Sequence, residues 1–112
     1  MIERSTIGDV VTLYAKHGWV LRRVLLSGPA KNALGVKDAE LLFDAAVHSS
    51  DIDALWFSRP PQPGGVAWEL RHLSNSPYAL VENIDEDSAY LENALRSVEQ
   101  RLREAVSAKK SA

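Results

Sequence analysis

The segment from Ile52 to Asp85 constrains the fold most, because three runs of alternating apolar residues, at 52–59, 66–73 and 78–85, are separated by clusters of Pro, Gly, Asn and Ser. Successive side chains of a strand leave opposite faces of the backbone, so alternation with a period of two is the mark of half-buried strands. The turn-forming clusters between the runs fit an antiparallel meander.

Hairpin register follows from the same alternation, since a slip of one residue exchanges the two faces of a strand. Setting Trp68 opposite Ile84, His72 opposite Leu80, Phe57 opposite Trp68 and Leu55 opposite Leu70 gathers Leu55, Phe57, Val66, Trp68, Leu70, Tyr78, Leu80 and Ile84 on one side. This is the predicted core face. The other face then carries Ala54, Trp56, Ser58, Ala67, Glu69, Arg71, Val81 and Asn83. Trp56 falls opposite Glu69 and diagonal to Arg71, a large ring on a polar surface with a cation in reach. Exposed Trp and Arg residues anchor interfaces, so Trp56, Glu69 and Arg71 are the candidate binding residues.

Upstream, Ile7, Val10, Val11 and Tyr14 recur at the spacing of one helical stripe, which predicts a helix over 6–17, capped by Ser5 or Thr6 and ended by Gly18. Residues 19–27 form a strand that is apolar on both faces, with Trp19, Leu21 and Leu25 on one and Val20, Val24 and Leu26 on the other. Such a strand needs cover on both sides. Arg22 and Arg23 interrupt the two faces at neighbouring positions. The stretch 27–35 reads as a connection broken at Gly28-Pro29, and lacks the spacing of a phosphate loop. A second helix is predicted over 37–48 from Ala39, Leu42, Phe43, Ala46 and Val47. The last helix spans 86–108, with Asp85 as cap and acidic Glu86 and Asp87 in its first turn. Its narrow seam of Leu91, Leu95, Val98, Leu102 and Ala105 serves either to pack on the chain's own sheet or to pair with a second copy. Glu92 with Arg96, and Glu99 with Arg103, are spaced for ion pairs along the helix.

The fold class is therefore α+β: a four-stranded, mainly antiparallel sheet with helices packed on one face, in the order α-β-α-β-β-β-α. One domain over 1–108 and a frayed tail at 109–112 account for the 112 residues.

Several function classes are disfavoured by composition. The net charge is -2, and the basic doublets Arg22-Arg23 and Lys109-Lys110 belong to no aromatic-interleaved stripe, so nucleic acid is not an expected partner. With no cysteine, thiol chemistry and thiolate zinc sites are absent. His17, His48 and His72 lack metal-ligand spacing, so no metal or other cofactor is expected. The amino terminus has no signal-like apolar core and no run reaches membrane-spanning length, which makes the expected location cytoplasmic and the membrane an unexpected partner.

Two functional readings remain. The first is a small binding or adaptor protein acting through its open sheet face and long carboxy-terminal helix, as a homodimer or with a protein partner. The alternative is a small enzyme in which His72 and Glu82, diagonal across a hairpin, form a general acid–base pair, with Arg71 or Tyr78 as substrate contacts. A His–Glu contact at a sheet edge is also an ordinary structural feature. The Pro-rich loop at Pro60, Pro61 and Pro63 either offers a short polyproline segment to a partner or stiffens a hairpin.

Overall fold

A strand that is apolar on both faces belongs in the interior of a sheet, and β1 (Val20–Leu26) lies there, between two neighbours of opposite direction. The computed structural model describes residues 3–59, 66–73, 79–84 and 91–111, the side chains of 80–84 and 108–111 excepted. Around β1 the chain places α1 (Arg4–Lys16), α2 (Gly28–Leu34), β2 (Leu41–Leu42), β3 (Ala45–Ser49), β4 (Ala54–Ser58), β5 (Val66–His72), β6 (Ala79–Ile84) and α3 (Leu91–Ser111). The sheet has six strands in the order β2-β3-β1-β4-β5-β6, parallel between β1 and β3 and antiparallel at every other junction. The fold is α+β, with a mixed six-stranded sheet in place of the expected four strands.

Helices cover both faces of this sheet, which corrects the one-sided arrangement expected from the alternation. On one side Ile7 and Tyr14 of α1 and Ala30 of α2 pack with Val24, Leu26, Val47, Leu55 and Phe57. On the other, Leu95, Val98 and Leu102 of α3 pack with Leu25, Ala54, Trp56, Val66, Trp68 and Leu70. The seam of α3 is thus consumed against its own sheet. Its charged residues also reach off the helix: Glu92 pairs with Arg23, and Arg103 with Asp51.

Two-sided cover explains why the β4–β5 register differs by one residue from the expected one. Phe57 lies opposite Glu69, Leu55 opposite Arg71 and Trp56 opposite Leu70. If only one face were buried, the large apolar residues would have to share it. With two, Trp56 joins Trp68 and Leu70 under α3 while Leu55 and Phe57 face α1, and every residue of β4 is buried. Along β5 and β6 the pairing is offset by two residues, placing Val66 opposite Ile84 and Trp68 opposite Glu82. An offset of two preserves the faces.

In β1 the register against β4 shifts between Leu21 and Arg23, leaving Arg22 without an opposite residue. This bulge resets the alternation. Trp19, Leu21, Val24 and Leu26 all pack on the α1 side. Arg22 and Arg23 both turn to the α3 side, where Arg22 stacks over Trp68 and bonds Ser58 Oγ at 3.0 Å, while Arg23 meets Glu92. The faces expected for 19–27 are corrected accordingly.

Two upstream elements differ from expectation. The Gly-Pro stretch is the start of α2: Ser27 Oγ accepts the Ala30 amide at 3.4 Å, Pro29 occupies the first turn, and Gly35 closes the helix at φ 69°. Residues 37–48 form the β2–β3 hairpin in place of a helix. The free edge of β1 needs a partner for its backbone groups, and β3 supplies it in parallel register, Val24 beside Val47. The hairpin turns at Phe43 and Asp44, whose φ values of 52° and 65° match a type I′ turn. Helix α1 begins at Arg4 with Glu3 as a cap that makes no side-chain bond, rather than at Ser5 or Thr6, and Gly18 follows it at φ 82°. The expected cap at Asp85, the residues 86–90 and the Pro-rich loop lie outside the described residues.

Candidate functional site

Each face of the sheet has one end whose side chains are less buried than the rest among the described residues. On the α1 side this end is β5, where Ala67, Glu69 and Arg71 are half-buried. On the α3 side it is β2 with β3, where Ala46 is half-buried and Leu41 and His48 are exposed.

The end at β5 carries a polar network built from two elements. Helical spacing puts Tyr14 two turns beyond Ile7 on the buried stripe of α1, and strand alternation puts Glu69 and Arg71 on the same face of β5. The three meet at the phenol. The Tyr14 hydroxyl donates to Glu69 Oε2 and accepts from Arg71 Nη1 at 3.2 Å. Its ring stacks on Phe57 with centroids 4.0 Å apart, and the Arg71 guanidinium lies 5.6 Å from the ring centre. Burial, aided by the Glu69 bond and opposed by Arg71, pushes the phenol above its ordinary value. It therefore keeps its proton and links Arg71 to Glu69 as a neutral donor and acceptor.

From Tyr14 the cluster continues past the carboxy-terminal end of α1. Trp19 meets Tyr14 edge to face at 6.3 Å, and the exposed Arg59 lays its guanidinium 4.6 Å from the Trp19 ring centre while donating to the His17 carbonyl at 3.2 Å. Gly18 makes this possible, because its left-handed backbone turns the chain sharply enough to bring Trp19 back beside the helix it has just left. The result is a ledge of Arg59, Trp19, Tyr14 and Arg71, with Glu69 as the acid bonded within it.

Of the binding residues expected from sequence, Glu69 and Arg71 come together through Tyr14, and Trp56 does not join them. Trp56 is fully buried on the opposite side of the sheet, where its indole donates to Glu99 of α3 at 2.8 Å. Its placement on an open face is corrected by the β4 register and by the cover that α3 provides. His72 and Glu82 are separated as well. The register sets Glu82 opposite Trp68, four positions along β5 from His72, a strand distance of about 13 Å at the usual rise. The side chain of Glu82, and Tyr78 altogether, lie outside the described residues.

Sequence reasoning missed Tyr14, Trp19 and Arg59 as members of this cluster. One signal was available: a Tyr in a helix's buried stripe needs a partner for its hydroxyl, and a paired Glu and Arg two apart on one strand face can provide it. Among the described residues no three His, Asp or Glu side chains converge as metal ligands would, and no helix is long and apolar enough to cross a membrane. Comparison with known proteins finds no matching family model, no matching curated protein and no matching solved structure.

Proposed function

We propose that this chain is a small binding protein whose recognition surface is the ledge of Arg59, Trp19 and Arg71 beside β5, supported from beneath by the buried Tyr14. One observation carries the reading: both guanidinium groups lie close to aromatic rings, with their central carbons 4.6 Å from the ring centre for Arg59 and 5.6 Å for Arg71. A guanidinium held beside a ring keeps N–H donors for an incoming acceptor, which is then met by a group already in place. Trp and Arg are also the residues that most often anchor protein interfaces. A protein partner suits the ledge, because mixed apolar and cationic groups are what interface anchors offer.

Self-association draws less support from the fold than from the apolar pattern of the chain. The α3 seam and both faces of β1 are satisfied inside one chain, so a homodimer would need a different surface.

Affinity capture from cell extract tests the reading, comparing the wild-type chain with Arg59→Glu and with Lys37→Glu, an exposed control away from the ledge. A partner retained by wild type and Lys37→Glu but lost by Arg59→Glu is the expected result. Equal retention by all three chains, or by none, sinks the ledge as a recognition surface.

A further inference from the structure

Helix α1 reaches from the β2–β3 turn, where Gly8 lies against Phe43, to β5, where Tyr14 meets Glu69 and Arg71. Its far half supports the ledge. Its near half borders an open cavity of about 500 Å³, to which Gly8, Val11 and Phe43 give an apolar lining while Arg4, Asp9 and Thr12 add polar groups. That volume lies within the roughly 300–1,000 Å³ of small-ligand pockets. Two locally unfavourable residues build the apolar side. Phe43 holds left-handed backbone at φ 52°, which a bulky residue keeps only where its surroundings demand it. Gly8 stands inside a helix, where alanine is the better helix former, and a Cβ there would stand 3.3 Å from the Phe43 ring. The glycine thus lets the ring approach the helix. A contact that served only to pin the hairpin would bury that ring, yet Phe43 is 41% exposed.

The polar side is also unspent. Arg4 and Asp9 are five residues apart, outside the spacings of three and four at which helix side chains pair. Arg4 donates to the Leu34 carbonyl at 3.3 Å, and the Asp9 carboxyl makes no hydrogen bond or ion pair among the described residues. One cation and one acid therefore line the same cavity without neutralising each other. Glu3 and Asp44, the acids next to Arg4 and Phe43 in sequence, do not line it.

We propose that this cavity binds a free aromatic amino acid, its ring on Phe43 and Val11, its carboxylate toward Arg4 and its ammonium toward Asp9. Charge complementarity selects that occupant. An aromatic acid leaves Asp9 unmatched, an aromatic amine leaves Arg4 unmatched, and a neutral aromatic desolvates both without return. Five residues of helix separate Arg4 from Asp9 by about 7.5 Å along the axis, a gap that their side chains and one α-carbon bearing both charges can close. The Phe43 ring gives the ligand's ring an edge or an offset face to pack on. An aromatic side chain within a peptide brings the ring but not the two charges.

The test is titration of the 15N-labelled chain with phenylalanine and, separately, with tryptophan. At least one of them should shift the amides of Gly8, Thr12 and Phe43. The probes 3-phenylpropionate, 2-phenylethylamine and N-acetylphenylalanine amide, which lack the ammonium, the carboxylate and both charges in turn, should each bind ~10-fold or more weakly. Asp9→Asn should weaken binding of the amino acid by ~10-fold and leave 3-phenylpropionate unchanged, and Arg4→Gln should do the same with 2-phenylethylamine as the unchanged probe. Both residues are exposed, so neither variant removes core packing. No shift at the three amides up to ~10 mM of either amino acid would overturn the proposal, as would equal binding of the N-acetyl amide. Arg59→Glu should bind the amino acid as wild type does, which separates this cavity from the ledge; binding lost in that variant would place the ligand on the ledge and overturn the site.

Discussion

Trp56 and Glu99 join the centre of the sheet to the middle of α3: the indole N–H donates to Glu99 Oε2 at 2.8 Å while the ring itself has no exposed surface. The bond satisfies a donor that would otherwise be buried without an acceptor. It also fixes where along the sheet the helix sits, because Leu95, Val98 and Leu102 pack around the same ring.

Truncating that ring should therefore destabilise the fold strongly. We expect Trp56→Ala to cost about 3–5 kcal/mol in urea denaturation. Glu99→Leu should cost about 1–3 kcal/mol by stranding the indole N–H, and Glu99→Gln less, because its amide oxygen still accepts. Trp68 offers a control. Its Nε1 is buried with no acceptor among the described residues, so Trp68→Phe should cost less than Trp56→Phe by about 1 kcal/mol. Equal losses for the two Phe variants would show that the Glu99 bond contributes nothing measurable.

Tyr14 predicts an alkaline signature. The folded phenol is held above 10.0 by burial first and the Glu69 bond second, so the folded chain keeps this proton where the unfolded chain has lost it. Its contribution is whole below pH 10.0 and declines as pH rises from there through the folded-state value. Tyr14→Phe should cost about 1–2 kcal/mol at neutral pH. The gap in melting temperature between wild type and Tyr14→Phe should narrow above that pH. A gap that stays constant or widens would contradict the linkage.

The β2–β3 turn holds two residues in left-handed backbone that glycine would adopt with less strain, Phe43 at φ 52° and Asp44 at φ 65°. Asp44→Gly should raise stability by ~0.5–1 kcal/mol. Phe43→Gly should gain less or lose, because the Phe43 ring packs beside α1 so closely that a Cβ on Gly8 would stand 3.3 Å from it. Thermal melts of the two variants decide it, and a destabilised Asp44→Gly would mean that the aspartate side chain matters more than the backbone it strains.

Two surface ion pairs predict a small acid-side effect. Hydrogen bonds from Arg103 and Arg23 hold Asp51 and Glu92 below their ordinary values of 3.8 and 4.5. Depressed carboxyls contribute above those ordinary values and lose the contribution as pH falls through the folded-state ones. Both acids are largely exposed, so a double-mutant cycle on either pair should give under about 1 kcal/mol at neutral pH, and less in high salt. A larger coupling would show that the pairs help to dock α3.

Much of the architecture is legible in local pattern. The strands near 19–27, 52–59 and 66–73, the first helix and the long last helix all follow from periodicity, since apolar spacing reports the repeat of the element that buries it. The doubled apolar character of 19–27 also carries its own consequence, a strand in the sheet interior with cover on each side. Glu69 and Arg71 share a strand face by parity alone, so two of the five residues of the candidate site were open to reading.

What the sequence by itself determined, then, is which residues alternate and where turns interrupt them; which face of one strand matches which face of the next was decided only in three dimensions. Alternation within β4 is compatible with two parities, and the presence of helices on both sides selects the one that buries Trp56 with Trp68 and Phe57 with Tyr14. The bulge at Arg22 and the strand at 45–49 arise the same way. A single extra residue lets four apolar side chains face α1 and two arginines face α3, and the unpaired edge of β1 draws in a segment whose own spacing favours a helix. Burial of apolar area and pairing of backbone groups are gained only when distant segments meet, so a pattern confined to one segment cannot express them.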